Sequence, residues 1–189
     1  APNGLVEART VQTRVDPSGN RHRILQGFSL GAGTIIAGNT YIFSVYAKKN
    51  QHRWIQLNYT IGFNVNDWAN FDLETGTIGN TGTGAIATIQ DVGDGWYRIS
   101  IKGIVSGVSN PSVEILIINN TNSGRYPSYQ SSVAEDTFYI WGAQVVAGND
   151  IKDYYPTGTR LNIPRLDYSN GTCPSILIEP QRSNLLLHS

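Results

Sequence analysis

Four aromatic side chains occur in sequence surroundings where they could contact a ligand. Trp68 lies in residues 66–70, which also contain two asparagines and an aspartate, and Tyr126 and Tyr129 lie in a predicted loop. Trp54 opens a stretch in which polar and apolar residues alternate. A flat aromatic ring can cover the apolar C–H face of a sugar while nearby polar groups bond its hydroxyls. We therefore predict a glycan-binding surface that includes Trp68, Tyr126, Tyr129 and Trp54.

Packing roles compete with this interpretation. Trp54 precedes Gln56 and Asn58 in an alternating strand, and a tryptophan in that position also suits the core of a sandwich. Tyr126 and Tyr129 could pack within their own loop or against another protein. Exposure of the rings in the folded chain distinguishes these alternatives.

Catalytic signatures are missing from the sequence. No nucleophile elbow, zinc-protease helix motif, phosphate-binding glycine loop or cysteine pair for zinc occurs. Asp72 and Glu74 form a close carboxylate pair, but they border a predicted turn, and ordinary structural roles explain them. The single cysteine, Cys173, shares no motif with a histidine. We expect a protein without enzymatic activity.

Charge and hydropathy exclude two classes of partner. The chain carries 14 basic and 14 acidic residues, with no basic run beyond Lys48-Lys49. A nucleic-acid partner would require a basic surface to offset phosphate charge. No apolar stretch approaches the roughly 20 residues needed to span a bilayer. We therefore predict neither nucleic-acid binding nor membrane insertion.

Strand signals recur along the chain, whereas helical periodicity is nearly absent. Asp94-Gly95 suits a tight turn. After it, Trp96 and Arg98 alternate with Tyr97 and Ile99, which is the period of a strand with two different faces. This pattern predicts an all-β, antiparallel two-sheet β-sandwich. The candidate strands are residues 22–29, 41–48, 54–59, 68–72, 85–91, 96–104, 113–118 and 137–146.

Four sequence blocks occur in a fixed order along the chain. They are Tyr-Ile-Phe-Ser-Val-Tyr-Ala-Lys at 41–48, Phe-Asp-Leu-Glu-Thr-Gly at 71–76, Gly-Trp-Tyr-Arg at 95–98 and Trp-Gly-Ala-Gln at 141–144. In this respect the chain resembles the carbohydrate-binding-module-like jelly rolls of bacteriophage tail and head fibres. The resemblance implies a jelly-roll sandwich in which Trp96 and Trp141 are structural core residues.

The resemblance also implies a function and a set of partners. It predicts a virion structural protein, a fibre or capsid-decoration module on the particle surface, that contacts other virion proteins and adheres to a host cell-surface glycan. The alternative is a carbohydrate-binding module of a polysaccharide-degrading enzyme. No cofactor is expected apart from a structural calcium ion of the kind found in related jelly rolls, for which Asp16 and Asp136 are candidate ligands.

Composition divides the chain near Tyr155. Residues 1–155 are predicted to form the jelly-roll module, and residues 156–189, which hold four of the eight prolines, to form an extended connector or arm. The beginning of the chain matches the point just after the first strand of such a module, and its end resembles the opening strand of the next one. The apolar residues 185–187 are therefore expected to pair with a sheet of this chain or of a neighbouring copy, giving a homo-oligomer.

Overall fold

All regular structure in the described residues is β-strand. The computed structural model describes residues 1–5, 7–13, 19–27, 35–106, 111–129, 137–154, 165–167 and 175–177. The chain divides into two compact units, Ala1–Tyr155 and Pro156–Ser189. In the second unit, β11 (Arg165–Asp167) pairs with β12 (Ser175–Leu177) in an antiparallel hairpin.

The first unit consists of two antiparallel sheets of five strands each. The first sheet has the order β1-β10-β3-β8-β7, and the second has the order β2-β9-β4-β5-β6. The strands are β1 (Arg9–Gln12), β2 (Arg23–Gly27), β3 (Thr40–Lys49), β4 (Trp54–Tyr59), β5 (Trp68–Asp72), β6 (Thr77–Thr81), β7 (Ile86–Asp91), β8 (Trp96–Ile104), β9 (Ser112–Ile117) and β10 (Thr137–Ala147). The predicted all-β, two-sheet sandwich is confirmed.

The core lies between the two sheets and follows from strand alternation. Every second residue of a strand faces the same side, so Ile55, Leu57 and Tyr59 of β4 all point inward and are fully buried. Phe43 of β3 and Ile99 of β8 meet them from the first sheet. Burying a side chain of this size contributes roughly 1.5–3 kcal/mol to folding. The intervening residues of each strand must therefore lie on the outer face of their sheet.

Two strands differ from the sequence-based expectation. β1 was not predicted, and its sequence Arg-Thr-Val-Gln has only one apolar residue because it is an edge strand that pairs only with β10. β6 also lies outside the candidate strands named from the sequence. Its glycine and asparagine disfavour a strand, but pairing with β5 holds them in the sheet.

Trp96 and Trp141 lie on the outer face of the first sheet, not in the core between the sheets. Trp96 is buried, but it precedes Tyr97 and Ile99 in alternation and so faces away from the core. Trp141 is half-buried, and its ring contacts Tyr46 and Tyr154 with centroid distances of 5.1 and 4.6 Å. The predicted core position is wrong for Trp141, because its strand register places it opposite the outward-facing Tyr46.

The segment that follows β10 covers part of this outer face. The Arg98 guanidinium donates a hydrogen bond to the carbonyl of Lys152. Gln144 Nε2 donates to the carbonyls of Lys152 and Asp153 at 2.9 and 3.3 Å. The polar residues Ser44 and Arg98 are buried as a result. The first sheet thus carries a polar layer that the chain itself closes.

Candidate functional site

Four polar side chains on the outer face of the second sheet are almost completely removed from water. Gln56, Asn58 and Asn70 are 0% exposed, and Glu114 is 1% exposed. They come from β4, β5 and β9, at positions that alternate with core residues. A buried polar group is costly unless it finds hydrogen-bond partners. Some other part of the chain must therefore cover this face and supply those partners.

The loop between β9 and β10 provides the cover. Asn70 Nδ2 donates to the carbonyls of Thr121 and Ser123 at 2.9 and 2.7 Å. Gln56 Nε2 donates to the carbonyl of Gly124 at 2.9 Å, and the Tyr126 backbone N–H donates to Gln56 Oε1 at 3.0 Å. The side-chain amides of the sheet thus satisfy the polar backbone of the loop and hold the loop in one place.

The buried amides also bond one another. Gln56 Nε2 donates to Asn70 Oδ1, and Asn58 Nδ2 donates to Gln56 Oε1, both at 2.6 Å. Asn58 Oδ1 in turn accepts a hydrogen bond of 3.3 Å from Arg125 Nε. The network therefore runs without interruption from β5 through β4 to the loop.

An open cleft of about 400 Å³ lies beside the covered area. One part of its wall is apolar and exposed: Leu25, Ile61 and Val65 are 48%, 62% and 64% exposed. The rest is polar or aromatic. The lining residues are Arg21, Arg23, Leu25, Thr60, Ile61, Phe63, Val65, Glu114, Arg125 and Tyr126.

Tyr126 is held in this cleft by an unusual backbone conformation. Its φ of 55° lies in the left-handed region, which a bulky residue rarely adopts. Such strain of about 1–3 kcal/mol persists only where surrounding contacts compensate for it. Here the contacts are the hydrogen bond to Gln56 and the guanidinium groups of Arg21 and Arg125, which lie 4.9 and 4.3 Å from the ring centroid.

The hydroxyl of Tyr126 remains protonated at neutral pH. Burial raises the pKa of Tyr126, and the positive charge of Arg125 offsets this only in part. The oxygen accepts a hydrogen bond of 2.9 Å from Arg125 Nη2. The hydroxyl hydrogen can therefore be donated to a ligand in the cleft.

Glu114 has one carboxylate oxygen in an ion pair and one without a partner. Its Oε1 bonds the Arg23 guanidinium across the β2–β9 pair. Its Oε2 is buried and has no hydrogen-bond partner among the described residues. Buried polar atoms in this state are uncommon and often mark a functional position. Glu114 lines the cleft, but only 1% of the residue is exposed, so this oxygen does not face a ligand directly.

The predicted aromatic residues do not form one continuous surface. Tyr126 lines the cleft, whereas Tyr129 is buried between His22 and His52, with ring distances of 5.5 and 5.4 Å. The expectation that Tyr129 contacts a ligand is therefore wrong, because only 6% of the residue is exposed.

The two predicted tryptophans lie elsewhere on the outer face of the second sheet. Trp68 is half-buried, sits across from Asn58 in the β4–β5 register and does not line the cleft. Trp54 is also half-buried and contacts Arg53, whose guanidinium carbon lies 5.0 Å from the ring centroid. Trp54 faces away from the core because it alternates with Ile55, so its alternative assignment to the core is wrong.

The sequence analysis missed the charged residues of the cleft. Arg21, Arg23 and Arg125 come from the start of β2 and from the β9–β10 loop, which are far apart in sequence. The outward orientation of Glu114 could have been predicted from strand alternation, since Glu114 stands between the inward-facing Val113 and Ile115. Nothing local indicated that a distant loop would bury it.

The described residues contain neither a metal-binding cluster nor a membrane-spanning helix. In the described part of the chain, no cluster of three or more His, Cys, Asp or Glu side chains could hold a metal ion. The calcium candidates Asp16 and Asp136, like Cys173, lie outside the described residues. The described ranges contain no helix of the length and hydropathy required to cross a bilayer.

No protein-family model matches this chain, and no curated protein matches it significantly. The similarity to phage fibre jelly rolls therefore stays a prediction based on the four sequence blocks. The function must be inferred from the chemistry of the cleft.

Proposed function

We propose that this chain is a non-catalytic adhesion module of a virion fibre or capsid decoration that binds a glycan on the host surface. The observation that carries the binding role is the cleft on the second sheet, in which a fixed tyrosine ring lies near an apolar wall and hydrogen-bonding groups. The virion role is supported by the four sequence blocks alone.

The composition of the cleft suits a sugar ring. A sugar has apolar C–H faces and a rim of hydroxyls, so its site needs apolar surface together with a few placed polar groups. Tyr126, Leu25 and Ile61 supply the apolar surface, and the Arg125 guanidinium and the Tyr126 hydroxyl supply hydrogen-bond donors. Because the loop is already held by buried amides, little ordering is required when a ligand binds.

A site of this size and openness should bind weakly on its own. We expect dissociation constants between micromolar and millimolar, which correspond to about 4–8 kcal/mol. A fibre compensates for weak single sites by presenting several copies, since linked sites raise the overall affinity without new contacts. This expectation agrees with the predicted homo-oligomer.

Glycan-array binding by the full chain, compared with a Tyr126→Asn variant, tests the proposal. Asparagine tolerates the left-handed conformation and keeps the backbone N–H that bonds Gln56, so the fold should be preserved while the ring is lost. We expect the variant to lose binding and to retain its melting temperature. Tyr139→Ala, at a half-buried tyrosine on the first sheet, is the matched control and should bind normally. Absence of binding to every glycan, or full binding by Tyr126→Asn, would contradict the proposal.

The assembly role is tested separately through residues 181–189. The strand β2 is an edge strand whose residues are all exposed, with Ile24 and Leu25 at 39% and 48%. An exposed edge of this kind can accept an added strand. We expect deletion of residues 181–189 to lower both the molecular mass of the protein assembly in solution and its melting temperature.

A second variant distinguishes the side chains from the length of the chain. Replacement of Leu185, Leu186 and Leu187 by serine keeps the length and should have the same effect, because apolar burial drives the association. Unchanged mass and unchanged melting temperature in both variants would show that the segment is only a linker.

A further inference from the structure

We propose that the cleft is selective for acidic sugars, that is, sugars that carry a carboxylate or a sulfate group. This inference rests on the proposed glycan-binding function and specifies the class of ligand. Two observations support it. Cationic side chains outnumber anionic ones at the cleft, and the hydrogen bonds of Arg125 go to neutral groups.

Three guanidinium groups and one carboxylate line the cleft, which leaves an excess of two positive charges. Glu114 compensates Arg23 alone. Arg21 and Arg125 form no ion pair with any described residue. The net charge of the whole chain is zero, so the excess is a local property of this surface.

Arg125 is directed into place by neutral acceptors. It donates to Asn58 Oδ1, to the Tyr59 carbonyl at 2.8 Å and to the Tyr126 hydroxyl at 2.9 Å. These bonds fix the orientation of the guanidinium group without neutralising its charge. A guanidinium that is held in this way is prepared to bind an anion, because no ordering of the side chain has to follow.

Arg21 lies over the same tyrosine ring. Its guanidinium carbon is 4.9 Å from the Tyr126 centroid, and that of Arg125 is 4.3 Å from it. Two cations that form no ion pair within the described part of the chain therefore flank one aromatic ring. Arg125 also acts on Asp67, whose pKa is raised by burial and partly lowered by the Arg125 charge. Planar guanidinium groups bind carboxylate, sulfate-like and phosphate-like oxygens through paired hydrogen bonds.

The remaining groups argue for a sugar acid over a simple inorganic anion. The apolar wall of Leu25, Ile61 and Val65 has no role in binding a small ion. The Tyr126 hydroxyl can donate its hydrogen to a hydroxyl group of the ligand. A ligand with an apolar face, an anionic substituent and hydroxyl groups matches all three features.

The test measures binding of small probes to the full chain by NMR titration. Methyl β-glucuronide has a carboxylate where methyl β-glucoside has a hydroxymethyl group, and the two are otherwise identical. Glucose 6-sulfate and inorganic sulfate are the other two probes. We expect the glucuronide or the sulfated sugar to bind at least about tenfold more tightly than the glucoside, which corresponds to about 1.4 kcal/mol. The preference should weaken as salt concentration rises.

Two arginine variants locate the site. Arg21→Gln removes a guanidinium that lies over the Tyr126 ring but keeps the hydrogen bond from the Tyr126 N–H to Gln56, so the melting temperature should fall only slightly. We expect the preference for the acidic probe to fall to about threefold or less. Arg9→Gln, which removes an exposed charge from β1 of the first sheet, is the matched control and should leave the preference unchanged.

The outcomes separate this inference from the proposed function. If neither the glucuronide nor glucose 6-sulfate binds more tightly than the glucoside, the acidic preference is overturned and glycan binding is left intact. Inorganic sulfate that binds as tightly as the acidic sugars shows an anion site only and also overturns the inference. A preference that survives in Arg21→Gln places the site elsewhere, whereas failure of every sugar to bind contradicts the proposed function itself.

Discussion

The outer faces of the two sheets both carry buried polar side chains, but one face is closed by aromatic packing and the other opens into a cleft. Each carries polar side chains that are buried under a segment of the chain, Lys152–Asp153 on the first sheet and Thr121–Tyr126 on the second. On the first sheet the aromatic rings of Trp141, Tyr46 and Tyr154 pack on one another. On the second, the covering loop stops beside an open cleft and presents one strained tyrosine to it.

This difference separates a face that contributes to stability from one that is arranged for contact. Aromatic packing on the first face removes apolar surface from water, which is the dominant favourable term in folding. On the second face the network instead orients polar groups and leaves apolar side chains exposed, at a cost to stability. Proteins maintain such features where another molecule covers them.

The largest expected effect is on the first face. Trp96→Ala should lower the free energy of unfolding by about 3–5 kcal/mol, the usual cost of deleting a large buried aromatic. Chemical denaturation of the variant measures this loss. The half-buried Trp68 on the second face gives the comparison, and Trp68→Ala should cost less. Melting of Trp96→Ala within a degree of the parent would show that the ring is not packed as described.

The second prediction compares one substitution on the two faces. Gln56→Leu should cost about 2–3 kcal/mol, because it leaves buried groups of Asn70, Gly124 and Tyr126 without partners. It should also weaken glycan binding, since Tyr126 loses a contact that holds its loop. Gln144→Leu removes a half-buried glutamine on the first face whose hydrogen bonds to loop carbonyls are exposed to solvent, so water can replace those bonds.

Denaturation of both glutamine variants, followed by binding measurements, checks this comparison. We expect Gln144→Leu to cost less than Gln56→Leu, about 1 kcal/mol or below, because its lost hydrogen bonds are open to water. Equal losses for the two variants would mean that the covering loop of the second face does not depend on buried amides.

The smallest expected effect is a dependence of stability on pH that arises on the second face. Burial alone would raise the pKa of Asp72, but hydrogen bonds from Arg53 and from the N–H groups of Glu74 and Thr75 outweigh it and hold the pKa at about 2, below the ordinary 3.8. The folded state therefore favours the carboxylate. Its stabilisation is present above about pH 4 and is lost as the pH falls toward 2.

Urea denaturation at pH 6 and at pH 2.5 measures this contribution. The shift corresponds to about 2 kcal/mol, and Asp72→Asn should reduce the pH dependence by that amount while Arg53 stays in place. An unchanged difference between the two pH values in Asp72→Asn would show that the Arg53–Asp72 pair does not produce it.

Local patterns were sufficient for most of the fold. Alternation in residues such as Ile55, Leu57 and Tyr59 predicts both the strand and its buried face, because strand geometry places every second side chain on one side. The turn at Asp94-Gly95 was also predictable, and both residues have positive φ values of 51° and 73°. β1 and β6 were missed or misjudged because pairing with neighbours, not their own composition, makes them strands.

The sequence by itself therefore determined the all-β sandwich and the faces on which Gln56, Asn58 and Glu114 lie, since period and turn chemistry act over a few residues. Only the tertiary structure decided that the loop at residues 121–126 covers those amides, that Tyr129 is buried while Tyr126 is presented, and that Arg21 and Arg125 meet over one ring. Contacts between residues far apart in sequence depend on how the sheets and loops pack. Arg125 and Asn58, which are 67 positions apart, are an example. No local pattern encodes that arrangement, because the contacts between the loop and the sheet stabilise the protein only when both segments are in place.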